Sequence, residues 1–306
     1  LHLLSRRQRQ MCIRDRYVTN GFKAACFTDN FFGKVNEIEV DNVYDNTIFY
    51  RAINEINEKK IEHYKSNDYD LSILKHCPTI KYISISGEAT LNDLIGLENI
   101  RGIKIGLPIG DNESFDFCRL PHVNMLAIHA DGKNRTWMKM DWLKKLYIHE
   151  YLNSDLKAFS IRGLEELTLD MSRIKTLDGI ENFPSLRYFA ADYCKKLKSI
   201  KELACLKSLE TLKISDCNGV EDLEETFSQL TTLKELTILT LETVAPQYLK
   251  SLSFIKEMKA LQSFRSNYVI VDKDLTPLLR LKNAEIFEDK SYYKIKNKNL
   301  PKWDKK

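Results

Sequence analysis

The sequence predicts an α/β solenoid. Each stacked turn of chain gives one short strand to a curved parallel sheet and one irregular or short helical segment to the opposite, convex side. Three observations predict it. A six-residue phrase, in which an aliphatic residue, two variable residues, an apolar residue, one variable residue and an apolar residue follow one another, returns ten times. The copies stand 20–28 residues apart, the period of a solenoid. Within each copy the last two apolar residues are two apart, the period of a strand with one buried face.

In order, the copies read IKYISI at 80–85, IRGIKI at 100–105, VNMLAI at 123–128, LKKLYI at 143–148, LEELTL at 164–169, LRYFAA at 186–191, LETLKI at 209–214 and LKELTI at 233–238, with worn copies LQSFRS at 261–266 and LKNAEI at 281–286. One such turn has too little apolar surface to fold alone, whereas stacked turns build a continuous core. The phrase resembles the leucine-rich repeat, whose consensus runs L-x-x-L-x-L-x-x-N/C. Cys194 and Cys217 stand at the Asn/Cys position, and the resemblance covers about 71–287. It implies a solenoid of about ten repeats, spanning 71–290, with three outward positions per repeat on its concave sheet face.

The family uses the Asn/Cys side chain to bond the backbone of the turn. Here the other repeats carry Glu88, Pro108, Asp131, Tyr151, Ser172, Leu241, Val269 and Asp289 at that position. Turns at Pro108 and Val269 must therefore satisfy their backbone groups another way, and the solenoid is expected to be irregular. On the convex side Leu177, Ile180, Phe183, Ile200, Leu203, Leu206, Leu223, Phe227 and Leu230 suit short helical or 3₁₀ turns. The segment 248–261, after Pro246, is long enough for a true helix. Residues 17–70 lack the phrase and read as an N-terminal cap, with a degenerate strand at 35–40 and a helix within 46–64. Residues 291–306 read as a last cap strand and a loose polar tail.

Residues 6–16, RRQRQMCIRDR, resemble the translation of a sequencing-library adapter, so 1–16 are read as non-native and set aside. That removes five arginines and one aspartate, and the formal net charge falls from +4 to 0. The composition argument for a nucleic-acid partner goes with it. No run of about eighteen apolar residues is present, so no membrane span is expected. The six remaining cysteines show no paired spacing and favour reduced thiols. Cytoplasmic localisation is slightly favoured, although a signal peptide could have preceded the displaced start.

No phosphate-cradling glycine loop, zinc-protease helix or nucleophile elbow is found. No cofactor and no catalytic residue are expected, and the chain is read as a non-enzymatic module whose partner is a protein. Candidate contact residues cluster on the sheet face of the third to sixth repeats: Met125, His129, Lys145, Tyr147, His149, Glu166, Asp170, Tyr188 and Asp192. Tyrosine is a favoured interface anchor, so Tyr147 and Tyr188 lead this set. Trp137 is a further candidate, on the long connection 130–141. His129, His149, Asp170 and Asp192 fall in one column on successive strands. Two imidazoles beside two carboxylates could hold a divalent metal, but a straight row does not converge, so a hydrogen-bonded ladder is the preferred reading and no metal is expected. The leading function is protein recognition, with an inhibitor or immunity-type role resting on fold-level analogy. A cell-surface adhesin and a metal-dependent enzyme centred on His129, His149 and Asp170 are the competing readings.

Overall fold

The computed structural model describes residues 31–302 apart from 42–44, 69, 86–88, 107–113, 131–132, 241–245 and 288–289. The adapter-like string lies outside them, as do Glu88, Pro108, Asp131, Leu241 and Asp289. The chain divides into two units, Leu1–Lys34 and Val35–Lys306. The second carries every described strand.

Among the described residues, twelve strands form one parallel sheet: β1 (Glu37–Glu39), β2 (His63–Ser66), β3 (Tyr82–Ile85), β4 (Gly102–Ile105), β5 (Met125–His129), β6 (Lys145–His149), β7 (Glu166–Asp170), β8 (Tyr188–Asp192), β9 (Thr211–Ser215), β10 (Glu235–Leu239), β12 (Ser263–Ser266) and β14 (Asn283–Ile286). Two further strands, β11 (Tyr248–Leu249) and β13 (Val269–Ile270), pair with each other in a small second sheet. The register aligns the repeated phrase with itself: Ile83 opposes Ile103, Leu126 opposes Leu146, Leu167 opposes Phe189, Leu212 opposes Leu236 and Phe264 opposes Ala284. All ten side chains are buried in one continuous core. This is the α/β solenoid that the repeats predict, of the leucine-rich-repeat type.

Two strands of the large sheet, β1 and β2, lie outside the repeated phrase. In β2 the anchor places are taken by Tyr64 and Ser66, both buried, and Tyr64 opposes Ile83. Between β1 and β2 runs helix α1 (Asn46–Lys59). Asp45 caps it, its Oδ1 accepting from the amides of Thr47 at 2.8 Å and Ile48 at 3.3 Å. The helix ends at Lys60 in a left-handed conformation and buries Ala52 and Ile56.

The nine convex residues predicted from the sequence are all buried, carried mostly by 3₁₀ turns and by the short helix α2 (Leu223–Gln229). The expected helix over 248–261 is not there. That stretch holds β11 and a 3₁₀ turn at Ser253–Lys256. The reason lies in its spacing: Leu249, Leu252, Ile255, Met258 and Leu261 are buried at a strict period of three. An α-helix turns 3.6 residues per revolution, so it would rotate such a row away from the core, whereas a 3₁₀ turn keeps it aligned.

The turns that leave the central strands share one device. Glu150, Met171, Tyr193 and Asp216 all have φ between 51° and 56°. Each donates its amide to the carbonyl of the next strand's last residue, Asp170, Asp192, Ser215 and Leu239 in turn, at 2.9–3.0 Å. In the last three of these turns the side chain one residue further on bonds back to the chain. Ser172 Oγ accepts from the Tyr151 amide and donates to the Asp170 carbonyl, both at 3.3 Å. Cys194 Sγ donates to the Asp192 carbonyl at 3.5 Å and Cys217 Sγ to that of Ser215 at 3.3 Å. At Val269, which has no such group, the amide donates to the Gln247 carbonyl at 2.8 Å within the second sheet. Gly179 is a glycine by necessity: its φ is +96°, and a Cβ there would come within 2.4 Å of the Leu156 backbone.

Over 291–302 the C-terminal segment is pinned rather than loose. Tyr293 and Leu300 are buried. The Ala284 amide donates to the Pro301 carbonyl at 2.8 Å, and the Ile286 amide to Asn297 Oδ1 at 3.2 Å.

Candidate functional site

The parallel register brings the candidates together on β5–β8. Met125, Lys145, Glu166 and Tyr188 follow one another across the sheet, as do His129, His149, Asp170 and Asp192. Ala127, Tyr147, Thr168 and Ala190 form the column between them.

Pointing outward does not make these side chains accessible. Strands about 4.8 Å apart let a large side chain lie over its neighbour. Ala127, Ala190, Tyr147 and Thr168 are all buried, as are His129, Asp170 and Asp192. Tyr147, expected as a solvent-facing anchor, instead donates its hydroxyl to Asp170 Oδ2. The same oxygen is 2.8 Å from His149 Nδ1. Asp170 is fully buried, so the phenol and imidazole serve as the polar partners that a buried carboxylate requires. Trp137 is also corrected. It is not exposed on a loop but fully buried, edge-on to Phe159 at 5.7 Å, with its indole N–H donating to the Asn134 carbonyl at 3.0 Å. Trp142 is half-buried and donates to the Val123 carbonyl.

What stays open is a half-exposed rim. Lys145 pairs with Glu166 at 3.1 Å. Tyr188 lies under Lys213, whose ammonium is 5.2 Å from the ring centroid. Burial pushes the Tyr188 phenol up and the Lys213 ammonium down from their usual values, so tyrosine stays neutral. Further along the sheet Arg265 pairs with Glu285 at 3.1 Å and lies 5.2 Å from the ring of Phe287.

The histidine column converges more than a straight row would. The His129 and His149 rings are 4.7 Å apart between centroids. Glu150, which strand periodicity does not single out, turns back between them: one carboxylate oxygen lies 3.7 Å from His129 Nε2 and the other 3.7 Å from His149 Nε2. Asp170 stands behind His149, and Asp192 lies beside Asp170 in the register. The only advance signal for Glu150 is its place directly after a strand-ending histidine. Periodicity does not say where a side chain points once the backbone has turned left-handed.

No protein-family model matches the chain, and no curated protein matches it. Two solved structures show a distant likeness. An internalin C2 from Listeria monocytogenes is 15% identical over 65% of this chain and 76% of that one, with a TM-score of 0.38. The leucine-rich repeat domain of the type III effector XCV3220 (XopL) is 13% identical over 87% of this chain and 92% of that one, with a TM-score of 0.36. Likenesses this remote carry no argument. The fold rests on the strand register and the side-chain rungs of the turns.

Proposed function

We propose that this chain is a non-catalytic protein-recognition module that meets its partner through the outward face of β5–β9. The observation that carries the reading is the half-exposed rim of Lys145, Glu166, Tyr188 and Lys213, set in register on a fixed sheet. Aromatic and charged groups on a backbone that need not reorganise bind at little entropic cost. Tyr188 is the anchor of the patch, because its ring lies under the Lys213 ammonium and beside Glu166 in the register. Tyr147, buried on the same face, is bonded to Asp170 and is not part of the open rim. No helix among the described residues is long and apolar enough to cross a membrane, and the proposed partner is a protein.

The test begins with a partner isolated by pull-down and its affinity for the intact chain. Tyr188→Ala should weaken binding by about 1–2 kcal/mol, roughly 5–30-fold, with stability nearly unchanged. Lys201→Ala, on the exposed convex side, should leave affinity unaltered. Affinity that survives Tyr188→Ala combined with Glu166→Ala would move the interface off this face.

A further inference from the structure

We propose that His129, His149 and Glu150 form a binding site for one divalent transition-metal cation of the zinc class. The site does not depend on the protein-binding reading. The single observation behind it is a carboxylate bridging two imidazoles from adjacent strands, with one ligand atom from each residue lying within 4.8 Å of the others.

The distances suit a cation. Metal–nitrogen and metal–oxygen bonds of about 2.0–2.2 Å in tetrahedral arrangement put ligand atoms roughly 3.3–3.5 Å apart. The two histidine–glutamate separations are 3.7 Å. These exceed a hydrogen bond and run to the two different oxygens of Glu150, and the ligand atoms as a set lie within 4.8 Å of one another, so closing them onto one metal takes side-chain movements of up to about an ångström.

The chemistry points the same way. His149 Nδ1 contacts Asp170 Oδ2, which already accepts the Tyr147 hydroxyl. A carboxylate oxygen there accepts, so Nδ1 carries the hydrogen, and in the neutral imidazole that a metal binds Nε2 is the nitrogen left to face Glu150. A carboxylate behind a metal-binding histidine is the usual device for fixing its tautomer and raising its basicity. Nε2 and the Glu150 carboxylate are then aimed at the same space, which a cation between them would fill. Two imidazoles and one carboxylate suit zinc, cobalt or nickel rather than calcium or magnesium, which prefer all-oxygen sites.

The support is rigid. His129 and His149 are paired in the ladder, and the Glu150 turn is held by the hydrogen bond its N–H donates to the Asp170 carbonyl at 2.9 Å. Three side chains converge, and those of His149 and Glu150 remain 23% and 28% exposed. The remaining coordination position therefore opens outward, to water or to a carboxylate or imidazole brought by a partner.

The full chain, stripped with chelator, should be titrated with Co²⁺ alone and followed by visible absorption. The expected result is one equivalent bound, with the intense bands of low-coordinate cobalt, and displacement by Zn²⁺. Glu150→Ala and His149→Ala should each weaken Co²⁺ binding more than about 10-fold, and Asp170→Asn, which acts through His149, by about 10–100-fold. His122→Ala, at an exposed histidine elsewhere, should change nothing. Glu150 is on the rim, so its variant should fold even if His129→Ala does not. Binding only at millimolar cobalt, or unchanged affinity in both Glu150→Ala and His149→Ala, would overturn the proposal and leave an imidazole–carboxylate ion-pair cluster. Because no partner is present, either result leaves the protein-recognition reading standing.

Discussion

The centre of the sheet and its C-terminal end solve one problem in two ways. Each turn leaving a strand has backbone groups that must find partners. After β7–β9 the solution is made of side chains: Ser172, Cys194 and Cys217 act as successive rungs, and left-handed residues carry the ladder past the strands. After β10 no rung is available at Val269. The chain instead builds the second sheet, β11 with β13, and Tyr293 closes it by accepting the Ile270 amide at 2.8 Å. The core is the same in both regions, with apolar anchors stacked in register. A repeat that loses its consensus side chain can therefore keep its place if main chain substitutes for it.

The largest expected effect tests the shared core. Leu167→Ala and Leu212→Ala at the centre, and Phe264→Ala at the end, should each cost about 2–5 kcal/mol in chemical denaturation. Glu166→Ala and Thr211→Ala, one residue away, should cost less than about 0.5 kcal/mol. A much cheaper Phe264→Ala would mean that the end lacks a true core, and the comparison would break there.

The N-terminal end supplies a pH test. His63 in β2 is buried, with Nε2 2.8 Å from Ser84 Oγ. Burial first, and then the Lys65 cation, push its pKa down from 6.5 to about 4. The unfolded chain binds this proton below pH 6.5 while the folded chain resists it. The stability is thus complete above about pH 6.5 and is lost as pH falls toward 4, by roughly 2–3 kcal/mol. His63→Gln should flatten that part of the profile. An equally steep fall in the variant would assign the acid sensitivity to other groups.

The two kinds of turn can then be weighed directly. Tyr293→Phe removes the acceptor of a buried amide and should cost about 1–3 kcal/mol. Ser172→Ala removes two long hydrogen bonds and should cost about 0.5–1.5 kcal/mol. Tyr293→Phe proving the cheaper of the two would show that the second sheet holds without its tyrosine.

Periodicity explains how much of this fold is legible in the sequence. Ten strands fall on the ten phrases, because alternation of apolar residues marks a half-buried strand wherever aliphatic side chains supply it. β2 escapes because Tyr64 and Ser66 fill its anchor places. Length alone misjudges the 248–261 segment, although its period of three is written in the chain. Tyr147 and Trp137 show a different limit. Pattern gives the face on which a residue stands, but burial depends on the size of neighbours one strand away, and those neighbours are set by register. Glu150 needs the φ of a single turn.

The sealing of β14 has a consequence for growth. A parallel sheet of near-identical rungs is a template that another copy could extend, one strand after the next, into a filament. Pro301 and Asn297 occupy the hydrogen-bonding groups of Ala284 and Ile286 that such an addition would use, and Lys302 bonds the Ala284 carbonyl at 3.1 Å. Residues 297–302 thus close this edge of the sheet to a further strand.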